Sequence, residues 1–121
     1  MKNLVDAGIK NWEIWTGAYQ AGVEAGQAAQ VDSMTVYASS GKQYHVSEGV
    51  CGFAWLEIRG NTSFGKWALK EGIASKLYSG GLRISCREFG QSMQRKEAFI
   101  WAARKHLEAA GIACHGFSRM D

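Results

Sequence analysis

Proline occurs at none of the 121 positions. No rigid or polyproline linker therefore divides the chain, and its turns must be made by 15 glycines together with Ser, Asn and Asp. No apolar run reaches the roughly 18 residues that a membrane span needs, and residues 1–6 show no apolar stretch leading to a small-residue cleavage site. The expectation is a soluble protein of the cytoplasm, without a membrane partner. Cysteine is scarce: Cys51, Cys86 and Cys114 are odd in number, far apart and outside any Cys-x-x-Cys or zinc spacing. They are expected to be small buried thiols in a reducing compartment, without disulfide, metal or cofactor. Cys114 is followed by His115, but on a strand neighbouring side chains point to opposite faces, which argues against a catalytic pair. Nucleophile motifs, a Walker loop and a dinucleotide fingerprint are missing too, and His45, His106 and His115 stand in no metal or nucleophile pattern. No enzymatic activity is expected.

The residues present are those of an ordinary globular chain. With 46% hydrophobic and 21% charged residues, the length supports one domain, 1–121, with one core that needs no disulfide or metal staple. Charge is unevenly placed. Residues 1–48 carry three basic and five acidic side chains, and residues 49–121 carry eleven and six. The second part can therefore face an anionic partner, nucleic acid or an acidic protein surface, although the bias falls short of a polybasic tail.

Periodicity predicts a helix over 4–29 with Trp12, Trp15, Tyr19 and Val23 on a wide apolar face. At 1.5 Å per residue it would run about 39 Å, comparable with the domain diameter. Gly8, Gly22 and Gly26 lie on that face, each costing about 1 kcal/mol against Ala unless another backbone packs closely. Such packing would occur within the fold or in a homodimer through this helix. The rest, 34–121, is expected to form an α/β core. Alternation predicts strands at 34–38 and 43–47 as a hairpin, and a central strand at 50–58 with both faces covered. A helix at 64–71 should follow, capped by Ser63 and closed by Gly72. Then come a strand at 82–88 with Arg83, Ser85 and Arg87 outward, a helix from Gly90-Gln91-Ser92 to Ala110, and a strand at 112–117. The class is α+β: a four- to five-stranded mixed, mainly antiparallel sheet covered by helices, with a long N-terminal helix.

Three surfaces are candidates for function. On the last helix Trp101 falls on the wet arc beside Arg104 and Lys105, so it is either covered by the N-terminal helix or offered to a partner. At that helix's N-terminus, Gln91, Ser92, Arg95 and Lys96 are placed to hold an anion, with Ser92 equally explained as a cap. Arg83 and Arg87, with His115 and either Tyr37 or Tyr44, could share a sheet face suited to nucleic acid. Lys76 with Tyr78-Ser79-Gly80-Gly81 reads as a cleft or, more simply, a turn.

Gly52-Phe53-Ala54-Trp55, Tyr78-x-Gly80-Gly81, Gly90-Gln91-Ser92, Arg95-Lys96-Glu97-Ala98, Gly111-Ile112 and Ser118-Arg119-Met120-Asp121 form an ordered series. Over residues 50–121 this series resembles a group of small proteins of bacteriophages and prophages. The resemblance implies a setting, the host bacterial cytoplasm. There, small phage accessory proteins without catalytic motifs often bind a host component, anti-CRISPR proteins being the best known. With no catalytic constellation in the chain, that setting leads to the expectation of stoichiometric inhibition of a host defence protein or ribonucleoprotein complex; the resemblance carries no site with it, and Trp101, Arg104, Lys105, Arg83 and Arg87 are the partner-binding residues that the sequence pattern itself offers. A nucleic-acid or nucleotide binding module using the basic C-terminal half is the alternative.

Overall fold

The computed structural model describes residues 4–37 and 39–121, apart from the side chains of 4–6, 34–37 and 44. Along the chain run α1 (Leu4–Ala28), β1 (Met34–Tyr37), β2 (Gln43–Val46), β3 (Gly52–Ile58), α2 (Ser63–Lys70), β4 (Ser75–Lys76), β5 (Leu82–Ser85), α3 (Met93–Ala109) and β6 (Cys114–Met120). The expected α+β class is present, as a four-stranded antiparallel sheet with a long N-terminal helix. The hairpin β1–β2 is a separate two-stranded sheet and adds nothing to the main one.

The main sheet has the order β4-β5-β3-β6 with every neighbouring pair antiparallel. Consequently β3 and β4 run parallel with β5 between them, and β5 and β6 run parallel with β3 between them. From β3 onward the chain is thus βαββαβ, two interleaved split βαβ units whose helices are α2 and α3. Strand β4 is not among the predicted strands and lies just before the predicted turn at 78–81. It is two residues long, and the turn after it is closed by the Leu77 N–H donating to the Gly81 carbonyl at 3.0 Å.

One face of this sheet makes the core. Ala54, Leu56 and Ile58 on β3 and Leu82 and Ile84 on β5 are buried with Phe99, Ile100, Ala103 and Leu107 of α3 and Phe64 and Ala68 of α2. Helix α3 can settle close because two positions beneath it are glycine. A Cβ at Gly116 would lie 2.9 Å from Ile100, and one at Gly52 would lie 2.7 Å from the Met93 sulfur. Thr62, not Ser63, caps α2: its hydroxyl accepts from the Gly65 N–H at 2.9 Å. The helix starts at Ser63, one residue earlier than expected, which moves the cap back with it.

Helix α1 packs lengthwise on α3 within the same chain. The small-residue stripe is what admits it. Phe99 lies over Gly22, Phe89 over Gly26 and the His106 imidazole over Gly17. Phe89 has a φ of 68°, a left-handed conformation uncommon for an aromatic, and it is the residue that inserts over Gly26. At the other end of α1, the Asn11 Nδ2 donates to Ser63 Oγ at 3.2 Å. Arg95 ties the C-terminal end down: its Nη1 donates to the Gly26 and Gln27 carbonyls at 2.9 and 3.2 Å, and its Nε pairs with Glu48 at 2.7 Å. A cation at a helix C-terminus satisfies end carbonyls and opposes the dipole.

Candidate nucleic-acid interface

Because strand side chains alternate, burying Ala54, Leu56 and Ile58 sends Phe53, Trp55 and Glu57 to the other face of β3. Register then decides their neighbours. Phe53 stands opposite Arg119, Trp55 opposite both Phe117 and Ser85, and Glu57 opposite both His115 and Arg83. The expectation that both faces of this strand are covered is corrected: Phe53 is 40% exposed and Phe117 45%. The helices gather on the side of Leu56 and leave this face to solvent.

Aromatic and cationic groups interleave on the open face. Trp55 and Phe117 stack with centroids 5.9 Å apart and planes at 18°. The Arg83 guanidinium lies 4.5 Å above the Trp55 ring, and Arg119 lies 6.0 Å from the Phe53 centroid. Lys96 reaches Phe53 from α3, its ammonium 5.3 Å from the ring centroid while donating to the Gly52 carbonyl at 3.2 Å. Trp55 is oriented by its indole N–H, which donates to Glu57 at 2.9 Å. Between these groups is a cleft of about 310 Å³ lined by Phe53, Trp55, Arg83, Ser85, Cys86 and Arg119. Arg83 Nε is buried with no acceptor, so its fork is one partner short. Stacking rings beside unneutralised guanidinium groups can take up a flat base and the phosphate attached to it.

The sequence-derived candidates do not come together in one site. Arg83 is on the open face. Arg87 lies past the end of β5, exposed, so the two arginines do not extend one strand together. His115 shares the face, whereas Tyr37 and Tyr44 belong to the separate hairpin, and their side chains lie outside the described residues. Gln91, Ser92 and Arg95 do meet around a cleft of about 500 Å³ at the start of α3. Ser92 and Arg95 are already engaged: Ser92 accepts from the Arg95 N–H at 3.5 Å and donates to the Glu48 carbonyl at 3.1 Å, and Arg95 is neutralised by Glu48. Lys96 is 6% exposed and turns to Gly52 instead. Trp101 is 60% exposed and is not covered by α1; Arg104 lies 5.6 Å from its ring and pairs with Glu108 at 2.7 Å, and Lys105 is exposed nearby.

Cys86 and Cys114 are buried as expected, but Cys51 is exposed, because it precedes β3 and bridges to Ser92 outside the sheet. The residues that sequence reasoning missed are Phe53, Trp55, Phe117 and Arg119. Their signal was present in the alternation of 52–58 and in the order of elements, which together allow one face of the sheet to stay open. Among the described residues no helix is long and apolar enough to cross a membrane. No family model, curated protein or solved structure matches the chain.

Proposed function

We propose that the protein binds single-stranded nucleic acid on the open face of its four-stranded sheet. The observation that carries this reading is the juxtaposition of Phe53, Trp55 and Phe117 with Arg83 and Arg119 on one uncovered face. RNA-recognition sheets work by stacking two or three bases on such aromatics, and sequence-tolerant binders add a basic track for the backbone. Phe53 and Phe117 stack bases, Trp55 supports Phe117 from beside, and Arg83 and Arg119 take phosphates. The basic bias of residues 49–121 agrees with this partner. The setting is the bacterial cytoplasm that the phage resemblance implies.

Anisotropy of labelled single-stranded RNA and DNA 12-mers tests the proposal. Phe53→Ala and Phe117→Ala should each weaken binding about 5- to 150-fold, the equivalent of ~1–3 kcal/mol per stacked base. Arg83→Gln and Arg119→Gln should each flatten the slope of log K against log salt by about 0.7. Binding of neither polymer at low salt, or binding indifferent to all four changes, would overturn it.

The second reading is stoichiometric inhibition of a host defence complex, favoured by the exposed indole of Trp101. Its mark is a protein partner recovered from a bacterial lysate after nuclease treatment, lost with Trp101→Ala and retained with Phe53→Ala.

A further inference from the structure

The two edges of the main sheet are treated differently. At one edge, β4 is only two residues long and carries Lys76, devices that discourage another strand from pairing there. At the other, β6 has seven residues in unbroken register with β3, and everything after Cys114 on it is exposed. No proline, lysine or bulge interrupts it, and among the described residues no strand pairs with its outer side. A single hydrogen bond fixes which groups point outward. The Asp121 N–H donates to the Cys51 carbonyl at 3.0 Å, and Cys51 and Asp121 continue the register of the β3–β6 pair. By the alternation of an antiparallel ladder, the backbones of 115, 117 and 119 bond to β3, while those of Cys114, Gly116, Ser118 and Met120 present free N–H and C=O groups outward.

Exposed apolar side chains gather at this edge. Met120 is 63% exposed and Trp101 60% on the helical side of the sheet, and Phe117 is 45% exposed on the open side. A shallow groove of about 180 Å³ runs along it, lined by Glu97, Ile100, Trp101, Arg104, Gly116 and Phe117. Charge along the groove is polar end to end. Glu97 sits at the Ser118 end, accepting from the Ser118 hydroxyl at 2.9 Å, and Arg104 sits at the Cys114 end, where its carbonyl accepts from the Cys114 thiol. Trp101 lies between.

We propose that β6 pairs antiparallel with β6 of a second copy of this chain, joining two four-stranded sheets into one of eight strands. The edge is complementary to itself. A two-fold axis at Phe117 sets Cys114 opposite Met120 and Gly116 opposite Ser118 of the other copy, so every outward backbone group of the strand finds a partner. Phe117 then faces its own counterpart at a position without hydrogen bonds, where side chains come closest. The same axis brings Glu97 of one copy towards Arg104 of the other and places both indoles at the centre, as an isologous interface requires. This pairing does not rest on the nucleic-acid reading, although it would join the two stacked Trp55–Phe117 pairs in one row.

Light scattering and amide exchange on the full chain decide it. The expected mass is twice the 13.3 kDa of the single chain. The amides of Gly116, Ser118 and Met120 should become protected as concentration rises, whereas those of 115, 117 and 119 are protected throughout. Ser118→Pro removes the outward N–H together with the hydroxyl that donates to Glu97, and Trp101→Glu buries a charge at the dyad; each should return the mass to that of one chain with an unchanged far-ultraviolet spectrum. A chain that remains monomeric up to about 1 mM overturns the proposal. So does a dimer that survives both substitutions, or one whose outward amides exchange freely.

Discussion

Burial pushes the Cys114 thiol up to about 11, with Glu108 acting in the same direction, and raises Cys86 as well. Both side chains lie on the covered face of the sheet, Cys86 just past β5 and Cys114 at the start of β6, whereas Cys51 is open. Since the thiolate is the reactive form, alkylation of the native protein at pH 8 should label one thiol, Cys51, and full unfolding should release all three. The Cys114 shift also sets a direction for stability. Unfolded, the thiol loses its proton near 9.0, and folded it keeps it to about 11. Between those values the folded state holds more protons, so stability is complete below pH 9 and falls as pH rises towards 11. Tyr19, raised to about 12 chiefly by donating its hydroxyl to Glu88, acts with the same sign at higher pH. Urea midpoints measured from pH 8 to 11 should therefore decline, and decline less in Cys114→Val. An equal decline in both would assign the effect elsewhere.

The elements were largely legible because their signals are local. Helices α1 and α3, the glycine stops at 72 and 111, and the inward set Leu82, Ile84 and Cys86 stand where the pattern puts them, whereas Trp12, placed on the apolar face of α1, is 60% exposed. What the pattern did not carry was pairing. Whether a face is covered depends on where the helices go, and nothing in 52–58 itself says that α3 rests on Leu56 and leaves Trp55 open. Strand β4 escaped for a related reason: two residues have no period, and only pairing with β5 makes them a strand. Between helices, the glycines of α1 were read as packing sites, and two of them give contrary expectations. A methyl at Gly22 would meet the Phe99 ring at 2.6 Å, and Phe99 is fully buried with no room to yield. Gly22→Ala should thus destabilise by about 1–3 kcal/mol through overpacking. Gly8 has nothing within 4 Å. Gly8→Ala should be neutral or add up to about 1 kcal/mol by lowering the entropy of the unfolded chain. The thermal midpoint should fall in Gly22→Ala and hold or rise in Gly8→Ala, and parallel losses would mean that the helix face is wrongly assigned.

Across the whole molecule, basic side chains lie on both layers. Helix α1 carries three acidic residues and one basic residue, but α2 and α3 together carry six basic and two acidic ones. The open face carries Arg83, Arg119 and His115 with Glu57 and, by register, Asp121 at its end. With a net charge of +3 the molecule attracts a polyanion as a whole, so the encounter rate should fall as salt rises. Helix α1 is the acidic part, and the core holds it to the sheet layer as one body. Ala18 of α1 belongs to the same buried cluster as Leu56 of β3, Phe64 of α2 and Leu107 of α3, with Trp15 and Trp67 packed against it. A single cluster of this kind should unfold as one unit. Helix content followed by circular dichroism, to which α1 contributes 25 residues, and indole fluorescence, to which Trp55 of β3 and Trp67 of α2 contribute from outside α1, should then give coincident urea transitions. Were the helical signal lost first, while Trp55 and Trp67 stayed in place, α1 would be a separable layer, and its acidic side chains would belong to a second body.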